Sequence, residues 1–154
     1  MKLIPILAIA AVTIPCLAQS GSNAEVFPGR DVAAQLATLV QSAKVSGSSG
    51  ATLGDYKSHS IKLSVRTASG GAEVHAHYDD IFVVTAGKAT LITGGTVVDA
   101  KTGKDGETKG SKIADGKSQA IEKNDIVHIP AGTPHQLIIA PGDVFSTIVV
   151  KVRE

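Results

Sequence analysis

The sequence predicts an all-β domain, a sandwich or barrel, preceded by one helix. Three observations carry that expectation. Short runs of alternating apolar and polar residues fill the chain from about residue 60 onward, separated at close intervals by turn residues. A single stripe at helical spacing lies ahead of them. No internal repeat and no second domain is visible, and 154 residues suffice for one domain with a real core.

The elements follow in order. Met1 and Lys2 give a short positive start, and the next fifteen residues, to Leu17, carry no charge. Small residues at Cys16 and Ala18 sit where a signal peptidase reads them, so residues 1–18 are expected to be a cleaved secretory signal and Gln19 the new N-terminus. The alternative is a retained anchor, for which the apolar run is slightly short. The protein is therefore expected in the periplasm or outside the cell. Residues 19–59 form a helix and a linker. Val32, Leu36, Leu39, Val40 and Ala43 share one stripe over 30–43, and Asp31 suits the positive helix start. Residues 46–54 are rich in Gly and Ser and predict a loop.

The barrel is expected over 60–154. Ile61, Leu63, Val65 and Thr67 alternate with Lys62, Ser64 and Arg66, which predicts a half-buried strand with a wet face. Further strands are expected over 72–77, 81–85, 88–93, 120–129, 136–140 and 144–152. Gly70-Gly71, Gly87, Gly94-Gly95, Asn124-Asp125, Pro130 with Gly132, and Pro141-Gly142-Asp143 supply the turns. Residues 99–118 are rich in Lys, Gly and Asp without an apolar period. They predict a surface hairpin excursion, dispensable for folding, with a lid over the site as the functional alternative.

Composition excludes several function classes. The formal net charge is +1, and loss of Lys2 leaves the mature chain near zero. Such a chain lacks the field that holds phosphates, so no nucleic acid is expected. No Trp, two Tyr and three Phe supply little stacking surface. Cys16 is the only cysteine and lies inside the expected signal. Disulfides, a Cys nucleophile and thiolate metal sites are thereby removed from the mature protein.

The chemistry rests on histidines. His75 and His77 are two apart, and in a strand such positions face the same side. Two imidazoles placed so can share one metal ion. His135 opens a strand after Pro130-Ala131-Gly132-Thr133-Pro134 and could aim a third imidazole at the first two. Glu73 shares their parity: it is either a general base or a supporting partner at the barrel mouth, or a charge at the wet end of a strand. His128 either lines the pocket and moves protons or is a packed or surface histidine. His59, after a loop, is expected in solvent.

These residues resemble the two motifs of the cupins. Gly70, His75, His77, Asp80 and Gly87 follow the order of the first motif: a glycine, a His-x-His pair, an acidic residue and a glycine. The gaps before His75 and before Asp80 are each one residue short. Asn124, Pro130, Gly132 and His135 hold positions of the second motif. Asn124 stands for a glycine, which it can do because Asn tolerates positive φ. Ile139 stands where that motif ends in Asn. The resemblance covers roughly 60–152 and implies a cupin-type jelly-roll barrel with its histidines in the lumen. It implies Asp80 as the acidic metal ligand beside His75, His77 and His135, with Asp79 the lesser candidate.

One divalent transition metal ion is therefore expected, of unassigned identity: Zn, Cu, Ni, Fe or Mn. Intrinsic affinity outside the cytoplasm favours Cu and Zn, while the resemblance also admits Fe, Mn and Ni. Open positions on such an ion suit a metal-dependent enzyme acting on a small polar molecule, of oxygenase, isomerase or lyase type. The alternative is a non-catalytic protein that captures a metal or a small ligand. A lumen with convergent acid and base groups favours the enzyme; a bare apolar lumen favours capture. No membrane span is expected after cleavage, and a homodimer is left open.

Overall fold

The computed structural model describes residues 23–154, so the expected signal segment and Cys16 lie outside the described residues. Helix α1 spans Gly29–Ser46. It ends at Gly47, whose left-handed backbone (φ 82°) lets its N–H close on the Ala43 carbonyl at 2.7 Å. Thirteen strands follow: β1 Ser48–Asp55, β2 His59–Arg66, β3 Ala72–His75, β4 Tyr78–Ala86, β5 Lys88–Thr93, β6 Thr96–Val98, β7 Lys101–Thr102, β8 Glu107–Gly110, β9 Lys112–Ala114, β10 Lys117–Glu122, β11 Ile126–Ile129, β12 His135–Ile138 and β13 Phe145–Arg153.

They build two facing antiparallel sheets, ordered β1-β2-β13-β4-β11 and β10-β5-β12-β3-β8-β7, with β6 and β9 forming a separate ribbon. One apolar cluster fills the interior between the sheets, with Phe82, Val84, Leu91, Ile121, Ile129, Phe145 and Val149 among its members. The turn from β4 to β5 depends on Gly87, at φ 77°, where any Cβ would collide with the Val144 carbonyl oxygen.

Four expectations are corrected. Residues 46–54 are not a loop: β1 pairs along β2 in register from Ser48↔Arg66 to Asp55↔Ser60. Small polar residues suit this edge position because their neighbours supply the packing. The run 120–129 is broken by Asn124 at φ 78°, which sends β10 and β11 to different sheets. The residue that can adopt positive φ is there for that turn. The segment 99–118 is not an excursion: β8 pairs with β3, β9 with β6, and β10 with β5. Its lack of apolar period reflects short strands at the sheet margin, although Ile113 is buried.

The fourth correction concerns the faces of β2. Leu63 and Val65 are buried but belong outside the interior cluster, on the sheet face next to α1. The face expected to be wet, with Lys62, Ser64 and Arg66, looks into the barrel. Cross-strand register fixes this, because directly opposed residues share a side. Lys62 pairs with Val149 and Arg66 with Phe145, both interior residues.

Candidate metal centre

The site forms where β3 and β12 meet the opposite sheet. Glu73 and His75 share one face of β3, and His135 lies opposite Glu73 in the antiparallel register. Three donors from two strands thus converge through parity alone. The ligand atoms of Glu73, His75 and His135 lie within 4.8 Å of one another and could hold a metal ion. The two imidazoles are buried, with ring centroids 5.0 Å apart.

Asp80 approaches from β4 in the other sheet. Its Oδ2 lies 3.3 Å from His75 Nε2 and 3.8 Å from His135 Nε2. Its Oδ1 accepts a hydrogen bond from Lys151 Nζ at 2.8 Å. Lys151 pairs with Asp80 across β13 and β4.

The far side of each ring is fixed. His135 Nδ1 lies 3.1 Å from the Thr133 carbonyl oxygen, and a carbonyl can only accept, so Nδ1 carries the proton. His75 Nδ1 is hydrogen-bonded to Glu107 Oε2 from β8. Both Nε2 atoms are thereby directed to the same small volume. An acceptor behind each imidazole orients the ring and raises its basicity, as metal-binding histidines require. Two aimed Nε2 donors with carboxylates beside them fit a borderline divalent ion. The connecting loops are tied together as well. Gly132 N–H donates to the His75 carbonyl at 2.9 Å, and Ala131 N–H donates to Asp79 Oδ1 at 2.7 Å.

Two candidate residues lie apart from this cluster. The strand ends at His75, and Ala76 and His77 form an exposed turn, so the two-residue alternation does not carry His77 into the lumen. His128 is exposed on β11, where its Nε2 meets Asp79 Oδ2 at 2.9 Å, and it does not line the cavity. His59 is half-buried and stacks on Tyr56. Sequence reasoning missed Glu107 and Lys151. Lys151 had a signal, since it shares inward parity with Thr147 and Val149. Glu107 had none, because only the β3–β8 pairing brings it to His75.

Charge follows from this geometry. Burial disfavours the charged form of His75, but hydrogen bonds to Asp80 and Glu107 outweigh it and raise its pKa above 6.5. Burial pushes Asp80 up, and His75 and Lys151 more than reverse this, holding its pKa below 3.8. Burial lowers His135 below its usual 6.5. Asp80 has the depressed value, so its contribution to stability is present above the unfolded pKa and lost as pH falls through the folded one. His75 contributes below about pH 6.5, and His135 opposes it there. The metal-free protein should therefore lose stability as pH falls below about 4, and Asp80→Asn should flatten that slope. Urea midpoints between about pH 3 and 5 in a chelator test this; an unchanged slope in the variant rules Asp80 out as the source.

A cavity of about 470 Å³ opens beside the cluster. Its walls include Glu73, His75, Asp80, His135 and Lys151, with Lys62, Ser64, Arg66 and the start of β1 on the other side.

No protein-family model matches this sequence, and no curated protein does. Solved structures do. A polyketide cyclase from Streptomyces resistomycificus is 17% identical, with a TM-score of 0.52 over 70% of this chain and 66% of that one. A cupin domain from Schizosaccharomyces pombe is 10% identical, with a TM-score of 0.53 over 70% of this chain and 65% of that one. The chain has the cupin fold. A DMSP lyase from Ruegeria pomeroyi shares it as well, at 15% identity and a TM-score of 0.52, over 71% of this chain and 49% of that one. This chain thus spans between half and two thirds of these proteins' lengths. Identities this low carry the cupin architecture and no activity.

Proposed function

We propose that this chain is an exported, metal-dependent cupin enzyme acting on a small polar molecule, by oxygenase, isomerase or lyase chemistry. The carrying observation is the convergence of the His75 and His135 Nε2 atoms and the Glu73 carboxylate at the wall of a cavity that charged side chains line. Glu73, His75 and His135 would hold the ion, with Asp80 beside them through Oδ2, the oxygen that Lys151 does not hold. A divalent ion there supplies Lewis acidity toward a substrate oxygen.

The remaining steps belong to side chains. Glu107 keeps the His75 proton on Nδ1. Glu73 is half-buried beside His75 at 3.9 Å and is the carboxylate free to take a substrate proton when it is not ligating. Lys151 neutralises Asp80 and presents an ammonium to negative charge that develops in the lumen. Acid, base and cation thus converge on one lumen, which favours turnover over passive capture. Export rests on the N-terminal segment.

The test begins with protein purified from the exported fraction, whose N-terminus should be Gln19. After metal analysis it is screened for turnover of small oxygen-rich substrates, with and without chelator. Glu73→Gln should lower metal-dependent turnover by about 100-fold or more. A metal-loaded wild type that turns over nothing, or turnover indifferent to chelation, is evidence against the enzyme.

A further inference from the structure

Four lumen-facing rungs run along β2. Register places Ser60, Lys151 and Asp80 on the first rung, and Thr52, Lys62, Val149 and Phe82 on the second. Gly50, Ser64, Thr147 and Val84 form the third, and Ser48, Arg66 and Phe145 the fourth. The wall therefore carries a stripe of Lys62, Ser64 and Arg66 leading away from the metal centre. Both cations line the cavity. Among the described residues neither forms an ion pair, whereas Lys151 is matched to Asp80.

We propose that the lumen takes a small organic acid, with Lys62 and Arg66 receiving its carboxylates. This rests on the proposed metal site and extends it, since its ion would lie at the Asp80 end of the same lumen, next to the Lys62 rung. Lys62, Arg66 and Lys151 share the cavity with Asp80 on their own sheet and Glu73 on the facing one, so with neutral histidines its walls carry one excess positive charge before any ion binds. A divalent ion raises that excess, and an anionic ligand balances it. Lys62 lies two residues from the Asp80 rung, about 7 Å along the strand at ~3.4 Å per residue. Arg66 lies four residues further, about 13 Å at the same rise. Long side chains from the two positions can reach the ends of a short dicarboxylate. Gly70 leaves room for the guanidinium, since a Cβ there would stand 2.7 Å from an Arg66 terminal nitrogen. Ser64 and Thr147, opposed on the third rung, add hydroxyls between the two cations.

Calorimetric titration of glutarate tests this, with neutral glutaramide and inorganic phosphate as comparisons. Each is measured on zinc-loaded and on chelator-treated full chain, with zinc content recorded. Lys62→Gln and Arg66→Gln should each weaken glutarate by about tenfold while keeping zinc, and Arg66→Lys should restore part of the loss. Lys101→Gln, exposed on β7, should change nothing. Zinc retained with equal glutarate affinity in wild type and variants overturns the proposal and leaves the metal site standing. Glutaramide or phosphate binding as well as glutarate also overturns it. If no zinc binds, the metal reading fails, and the same variants judge the anion site in the metal-free protein. A variant that loses its folded circular dichroism is replaced by Lys62→Met or Arg66→Met.

Discussion

Replacing His75 and His135 together by alanine should abolish binding of a divalent ion and the stabilisation that comes with it. Each ring offers one Nε2 to the same volume, and each is fixed from behind by Glu107 or by the Thr133 carbonyl. Losing either leaves one imidazole and carboxylates, which bind weakly, so the single losses should not add. At free metal a thousand times its dissociation constant, linkage stabilises the wild type by roughly 4 kcal/mol. Chelation should therefore lower the wild-type melting temperature clearly and leave the double variant unmoved. Glu107→Gln should weaken metal about 10–100-fold without removing a ligand. His77→Ala should retain the metal, because His77 lies in an exposed turn outside the cluster. Equal metal in wild type and double variant after dialysis would falsify the site.

Replacing residues 99–118 with a short turn should abolish soluble folded protein. The segment supplies β8, which covers β3 along Ala72 to His75. Without it the metal-bearing strand becomes a bare edge, open to association. It also supplies β9, whose Ile113 is buried and whose backbone N–H donates to Gln136 Oε1 at 3.2 Å. Truncating one buried Ile costs about 2–5 kcal/mol, and orphaning a buried amide oxygen about 1–3 kcal/mol. The start of β10 on β5 goes as well. Together these approach the entire stability of a domain, about 5–15 kcal/mol. Expression of the shortened chain, followed by a urea melt of any soluble fraction, reads the result. A soluble product with a wild-type midpoint would show that the segment adds nothing to the barrel.

By itself the sequence determined the elements whose signals are local. The stripe from Val32 to Ala43 gave the helix, and alternation gave β2, β5 and β13 nearly in place. Asn124 and Gly87 marked turns that need positive φ. His75, His135 and Asp80 were legible because two short motifs name them, and Glu73 because it shares the parity of His75. Tertiary structure decided what depends on partners distant in the chain. The polar face of β2 became the cavity wall because α1 claims the apolar face. Segment 99–118 became strands because β3 and β5 offered open edges, and through β8 it delivered Glu107 to His75. His77 fell outside the cluster because the chain must turn toward the other sheet immediately after His75, and alternation ends where the strand does. Periodicity specifies which residues share a face; which face turns inward is set by what packs on the other.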